Sequence, residues 1–443
     1  MKWKSFPGGV LLDPAKDRTE GKPIRKINPP TKVVLPLVQH TGTPLEPLVK
    51  KGDTVRKGQK IADAEAFITA PVHASVSGTV QGIEEWWHPV LGRFRAIVVG
   101  NDFQDLGEYR EPLPEDIERL EPQFLREWIR EGGIVGLGGA AFPTHVKVSP
   151  PQGKEIDSLI LNGAECEPYL TCDHRVMVER AEVVLRGARV LARACGAKRV
   201  YVGIEENKKD CIKLFVNLQK DFPLPLQVVA LRTKYPQGSE KQLIRAILNR
   251  EVPPGGLPLD VGVVVDNVQT AWAVGRMSQE GVPLIERVIT LSGDCLREPG
   301  NLEVPLGVIL AELVEFCGGF EREPRKVVMG GPMMGIAQVS LEVPVIKGTS
   351  GFLFFVEVVE KREYPCIRCG RCSEGCPMFL TPSYLAKLSE FKAFAEAEEN
   401  RVMDCMECGT CSYLCPAGIQ ITQFIKLTKN EILLRRKKGG ERK

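Results

Sequence analysis

The chain has 443 residues, enough for about two to four domains with cores of their own, and its net charge of +3 gives no basis for nucleic-acid binding. Five widely spaced histidines exclude a His-rich metal site. No run approaches the ~20 apolar residues that span a bilayer, and the longest, Gly351 to Val359, predicts a buried strand. The opening MKWKSFPGGVLLDPAK lacks an apolar segment of signal-peptide length. Six cysteines (Cys166, Cys172, Cys195, Cys211, Cys295, Cys317) are scattered without a framework pattern, so a soluble protein of a reducing, cytoplasmic compartment is expected.

In chain order the pattern is that of a multidomain α/β protein. Residues 1–110 hold short β-branched runs separated by Gly52-Asp53, Gly58-Gln59 and Gly78-Thr79 turns. The stretch VKKGDTVRKGQKIADAEAFITAPVHASVSGTV resembles the barrel-sandwich hybrid of lipoyl and biotinyl domains. Those domains present a modified lysine at the tip between their halves. Here the tip, Ile61 to Ala70, contains no lysine, so packing or docking is the expected role. Over residues 111–284 a helix (Pro122 to Glu131) leads into a glycine-rich loop. Strands and helices then alternate: Ser158–Leu161, Val176–Cys195, Arg199–Gly203, Lys208–Lys220, Leu226–Leu231, Glu240–Asn249 and Val261–Val265. Such alternation predicts a Rossmann-like parallel α/β domain. Residues 285–350 return to short strands around a helix (Leu306–Cys317), read as a β-grasp-like (SLBB-like) α+β insert. Residues 351–425 form a helical ferredoxin-type domain with helix Ser383–Glu399 between two cysteine ladders. A basic tail, 426–443, is expected to be solvated and disordered.

The loop Gly132-Gly133-Ile134-Val135-Gly136-Leu137-Gly138-Gly139-Ala140-Ala141-Phe142-Pro143-Thr144 can bring backbone N–H groups close to phosphate oxygens. It follows a helix where the dinucleotide fingerprint demands a strand, so its glycine content alone fits a structural turn equally well. Two further loops end predicted strands: Asn162-Gly163-Ala164-Glu165-Cys166-Glu167-Pro168 and Asp266-Asn267-Val268-Gln269-Thr270. Carboxylates at strand ends can accept hydrogen bonds from ribose hydroxyls and repel a 2′-phosphate. Three polar loops with a phosphate nest predict a pocket for a flavin together with a nicotinamide nucleotide. Cys166, beside two carboxylates, is expected to have a raised pKa and to be a bystander.

The ladders read CIRCGRCSEGCP (Cys366, Cys369, Cys372, Cys376) and CMECGTCSYLCP (Cys405, Cys408, Cys411, Cys415). This C-x2-C-x2-C-x3-C-P spacing suits [4Fe-4S] clusters, with the fourth cysteine ligating the other cluster. Cys366, Cys369 and Cys372 therefore pair with Cys415, and Cys405, Cys408 and Cys411 with Cys376. A pair of zinc knuckles has no use for a third evenly spaced thiolate followed by proline.

GLGGAAFPTHVKV, LNGAECEP, KYPQGSEKQLI and DNVQTAW, in that order, with FPGGV and QHTG…EPLVKKGDTV…APVHASVSGTV before them, resemble the C subunit of the Rnf electron-transport complex, from about residue 6 to residue 420. The middle part is similar to the NADH-binding flavoprotein subunit of respiratory complex I. The resemblance implies FMN held by the Gly136–Thr144 loop (Gly136, Gly138, Gly139, Ala140, Phe142, Thr144), Lys147, Asn162 and Asn267. It implies NAD(H) near Glu165 and Glu167, with Tyr235, Gly238 and Glu240 lining the same crevice. It also implies a peripheral position on the cytoplasmic face of the inner membrane, with membrane and iron–sulfur subunits of the Rnf complex as partners. Electrons would pass between NAD(H), FMN and two clusters, coupled to Na+ or H+ translocation. Many such chains carry a long alanine- and lysine-rich extension that is not seen here. Two other readings share these parts: a soluble corrinoid reductase-type flavo-iron–sulfur protein, and an electron-transfer adaptor with a degenerate nucleotide pocket.

Overall fold

A computed structural model describes residues 3–358 and 362–440 of the chain. Val359, the end of one expected strand, and residues 441–443 of the tail lie outside the described residues.

Near the N-terminus two small sheets pack together. One is antiparallel, in the order Lys32–Pro36, Gly92–Asn101, Gly78–His88, Thr54–Val55; the other runs Glu46–Pro47, Lys60–Asp63, Val72–His73. Val33, Leu35, Val80, Ile97 and Val99 fill one face, and Val34, Ala96 and Val98 on the opposite face are also buried, against Ile309, so strands Lys32–Pro36 and Gly92–Asn101 are covered on both sides. The lysine-free tip is docked. The Phe67 carbonyl accepts a hydrogen bond from His145 Nε2 at 2.9 Å, and the two rings meet edge to face at 5.9 Å.

The central sheet is wholly parallel, in the order Leu226–Leu231, Arg199–Glu205, Ser158–Gly163, Val263–Asn267. Its β-branched and leucine runs are buried on both faces by helices, the usual environment of parallel strands. The helix expected over Val176–Cys195 is two helices, Cys172–Glu179 and Ala181–Cys195, because Arg180 leaves helical geometry at φ −135°. Helix Ala181–Cys195 crosses Val268–Glu280 at very short range. A Cβ on Gly187 would stand 1.7 Å from the Ala271 carbonyl oxygen, and one on Gly275 would stand 1.9 Å from that of Val183.

A third, mixed sheet has the order Ile24–Lys26, Gly300–Pro305, Glu286–Gly293, Gly351–Phe355, Lys326–Met329, Ile336–Gln338 and carries helix Leu310–Phe316. Two expected boundaries fall inside it. Strand Ile24–Lys26 comes from the N-terminal segment, and Gly351–Phe355, assigned from sequence to the cysteine-rich unit, is a central strand bonded to neighbours on both sides. Its apolar run GFLFF reads as a buried strand, but nothing local says which sheet receives it.

The cysteine-rich unit has its own core of Leu385, Val402, Ile421, Ile425 and Ile432. Helix Ser383–Glu399 is broken into Pro382–Glu390 and Phe394–Glu399, with Lys392 at φ 55° between them. The tail expected to be disordered is instead helix Ile421–Gly440, whose apolar residues Ile425 and Ile432 pack into this core. The lysines and arginines around them obscure the helical period there.

Gly275→Ala should push the two crossing helices apart. A loss of about 3 kcal/mol, in the upper range for overpacking, is expected as a lower denaturation midpoint, whereas alanine at the exposed Gly21 should change little.

Candidate functional site

Strand order in the parallel sheet reverses at Ser158–Gly163, and ligands of open α/β sheets bind outside the carboxyl ends of the strands at such a point. The glycine-rich turn is pinned there. Leu137 N–H donates to Thr270 Oγ1 at 2.9 Å, Gly136 N–H donates to the Phe142 carbonyl at 2.8 Å, and a Cβ on Gly138 would lie 3.4 Å from Asn267 Cβ. Leu137 and Ala141 are buried, whereas Gly138, Gly139 and Ala140 between them are exposed. Gly139, at φ 116°, would send a Cβ into open space. Successive exposed peptide groups between buried flanks make a cradle for an anion such as a phosphate. Thr41 Oγ1 holds its rim by donating to the Ala140 carbonyl at 2.9 Å.

Lys147 Nζ donates to the Val265 carbonyl at 2.7 Å and pairs with Glu240 at 3.2 Å and Asp266 at 3.5 Å. Burial pushes the Asp266 carboxyl up to about 6 against the pull of Lys147. Asn267 caps helix Val268–Glu280, its Oδ1 accepting from Gln269 N–H at 2.8 Å while its Nδ2 donates to Asp173 at 2.6 Å. Asn162 Nδ2 donates to the Gly238 carbonyl at 2.7 Å. Asp266 Oδ2, the Thr144 hydroxyl and both polar atoms of the Gln237 amide are buried without a partner among the described residues. Exposed peptide groups that can receive an anion, together with buried polar atoms left unmet at Thr144, Gln237 and Asp266, are compatible with a polar, phosphate-bearing cofactor.

The two loop carboxylates are engaged by the protein. Glu165 Oε1 accepts from Asp173 N–H at 2.7 Å, and its Oε2 lies 3.6 Å from Lys16 Nζ. Burial, then the nearby Asp173, pushes Glu165 up to about 7, opposed by Lys16. Glu167 accepts from the N–H groups of Met333 and Met334 at 3.0 and 2.9 Å. Cys166 accepts from Gly238 N–H at 3.3 Å, and burial, then Glu205, pushes its thiol up. Tyr235 is buried and donates from its hydroxyl to the Cys408 carbonyl at 2.8 Å. Three residues were invisible in the sequence. Lys16 donates to the carbonyls of Glu165 and Glu167 at 2.9 and 3.2 Å. Lys208 donates to that of Ala164 at 2.8 Å, and Asp173 binds Asn267 and Gln269. Lys16 lies in an aperiodic segment, and neither Lys208, at the start of a predicted helix, nor Asp173 carries a local signal of such a reach.

The eight ladder cysteines surround two cavities. Cys366, Cys369, Cys372 and Cys415 line one; Cys376, Cys405, Cys408 and Cys411 line the other. Both ladders turn alike. Arg368 and Glu407 adopt φ 55° and 60°, and each N–H lies 3.4 Å from the first cysteine sulfur of its ladder. Four thiols around each cavity fit a cubane cluster.

Family models match in succession: an RnfC barrel sandwich hybrid domain over residues 4–104, a Nuo51 FMN-binding domain over 129–276, an SLBB domain over 288–337 and a 4Fe-4S dicluster domain over 364–419. This is the composition of a flavin- and iron–sulfur-containing electron-transfer protein. The chain is 46% identical over 390 residues, 87% of its length and 85% of the relative's, to the C subunit of the proton-translocating ferredoxin:NAD(+) oxidoreductase complex of Clostridium ljungdahlii. It is 42% identical over 442 residues, 99% and 100% of the two chains, to the C subunit of the Na(+)-translocating complex of Acetobacterium woodii. With the C subunit of the ion-translocating oxidoreductase complex of Rhodobacter capsulatus it shares 41% over 383 residues, 85% and 73%. The chain belongs to this RnfC family. Its fold is also similar to a chain of an NAD+-reducing [NiFe]-hydrogenase, with a TM-score of 0.51 and 21% identity over 62% of this chain and 54% of that one.

Because the folded protein holds the Glu165 proton more tightly than the unfolded chain, this group's stabilisation is complete below about pH 4.5 and is lost as pH rises towards 7. Glu165→Gln should therefore gain stability relative to the parent between pH 5 and pH 8, by on the order of 3 kcal/mol. Parallel unfolding curves at the two pH values check this; a constant difference would contradict it.

Proposed function

We propose that the chain is the nucleotide-reactive electron-transfer subunit of a membrane Rnf complex, working between NAD(H) and a ferredoxin in a reaction coupled to Na+ or H+ translocation. The relatives' names support the reaction class. The observation that carries the assignment to this chain is the exposed Gly138–Ala140 turn, set against Asn267 where the strand order reverses. In this reading Gly136, Gly138, Gly139, Ala140, Phe142 and Thr144 cradle FMN, with Lys147, Asn162 and Asn267 around its polar parts. NAD(H) enters beside them, and Glu240 borders that entrance. Glu165, Glu167, Tyr235 and Gly238 shape the wall from behind, since their polar groups are held by the protein. Bound flavin interconverts two-electron exchange with nicotinamide and one-electron exchange with clusters. The residues' work is to hold the cofactors at fixed separation and to keep water from the buried side, which Lys16 and Lys208 do by satisfying the carbonyls of the acidic loop.

The two cysteine sets hold one [4Fe-4S] cluster each in the crossed arrangement. The finer architecture reads as a Rossmann-like sheet followed by a β-grasp unit. No helix among the described residues is long and apolar enough to cross a membrane. From the family resemblance we place the chain peripherally, on the cytoplasmic face, against membrane and iron–sulfur subunits.

Anaerobic titration of the reconstituted protein with NADH should bleach the flavin. FMN and clusters present but unresponsive to NADH would leave only an adaptor. Gly138→Val, which forces bulk against Asn267, should lower bound flavin at least tenfold with iron unchanged; full flavin content would refute the cradle. Cys376→Ala should remove about half the iron, leaving the cluster on Cys366, Cys369, Cys372 and Cys415 detectable by EPR.

A further inference from the structure

The two cysteine cavities have unlike surroundings. Both are lined by residues of the cysteine-rich unit, but at the one with Cys366, Cys369, Cys372 and Cys415 the residues Cys366, Cys369 and Ile367 are exposed, whereas Cys376, Cys408 and Cys411 of the other are buried. The backbone around the other is held from outside by two distant segments, one at Gly9 and one running from Tyr235 to Gln242. Gly9 N–H donates to the Gly375 carbonyl at 2.8 Å, beside Cys376. Gln242 Nε2 donates to the Pro377 carbonyl at 3.2 Å. The Tyr235 hydroxyl donates to the carbonyl of Cys408 itself, at 2.8 Å.

That last bond closes a ring. After Cys408 comes Gly409, where a Cβ would stand 2.9 Å from the Met333 carbonyl oxygen. The Met333 N–H donates to Glu167, and the Glu167 carboxylate lies beside the Tyr235 hydroxyl. Tyr235 itself is only 2% exposed, and its backbone pairs with Val10 in both directions, at 2.8 and 2.9 Å. A tyrosine so placed cannot serve as an open wall for a nucleotide. Its hydroxyl donates to the peptide of a cluster-ligating cysteine and has the Glu167 carboxylate as its other polar neighbour.

Resting on the functional reading above, we propose that Tyr235 is a positioning residue for the cluster held by Cys376, Cys405, Cys408 and Cys411: its hydroxyl fixes the Cys408 peptide against the acidic loop and raises the reduction potential of that cluster alone. The sign follows from electrostatics. A carbonyl points the negative end of its dipole into the surroundings of a group that gains negative charge on reduction. A donor on that oxygen offsets part of the dipole and favours the reduced state, since hydrogen bonding and burial tune cluster potentials. Removing the hydroxyl leaves a buried acceptor unmet and takes the offset away.

The test is Tyr235→Phe in the full-length, cluster-reconstituted protein, followed by EPR-monitored redox titration. The potential of one cluster should move to a lower value while the other stays, with FMN content unchanged. The identity of the moving cluster comes from repeating the substitution with Cys366→Ser, where the shift should persist, and with Cys405→Ser, where it should vanish. Selective loss of about half the iron in Tyr235→Phe, from the Cys405 set, would equally support the positioning role. Unchanged potentials, a shift that survives Cys405→Ser, or equal loss of both clusters would overturn it. Because the readout is cluster potential, a parent protein whose flavin ignores NADH would defeat the functional reading while leaving this test decisive.

Discussion

The structure depends on two buried basic side chains that have backbone carbonyls as partners. Lys347 Nζ donates to the carbonyls of Pro71 and Gly133 at 2.6 and 2.7 Å. Arg287 donates to the carbonyl of Lys347 and, at 3.1 Å, to that of Leu137. Both side chains are fully buried. Burial pulls the Lys347 amine down to about 7 and the Arg287 guanidinium down to about 10. Basic groups in such a place need acceptors, and here those acceptors belong to three different units, while Arg287 Nε is left without one among the described residues. The N-terminal sheets, the glycine-rich turn and the mixed sheet are thus held to one another by groups that none of them could bury alone. The shape of the turn is one product of that arrangement.

Much of the fold was legible because it rests on local period and punctuation. The helix over Pro122–Glu131 and the strand over Leu226–Leu231 fall where the pattern puts them. The misplacements are long-range events. Gly351–Phe355 and Ile24–Lys26 join a sheet whose other strands lie far away in sequence, and strand membership is decided by partners that no short window contains. The break at Arg180 and the folded tail failed for another reason. In both, tertiary packing decided where a helix stops, over propensities that differ by only tenths of a kcal/mol.

The candidate site shows the same division. Cysteines in a fixed ladder announce their chemistry, because a cubane demands particular atoms at particular spacing, whereas a run of glycines fits a turn as well as an anion nest until its neighbours are known. The acidic loop is less transparent. Glu165 and Glu167 read as free carboxylates at a strand end, yet one is tied to Asp173 and Lys16 and the other to the Met333 and Met334 amides. Charge in a sequence does not say whether the group will meet solvent, a ligand or another part of the chain.

The walls around the glycine turn come from Thr41, Asn267 and, through Arg287, the carbonyl of Lys347. These positions span some three hundred residues, so during synthesis these walls are unfinished until Lys347 has left the ribosome. The shaped glycine turn is therefore a late product of translation, and a nascent chain truncated before Lys347 would present the turn without the carbonyl clamp that gives it form.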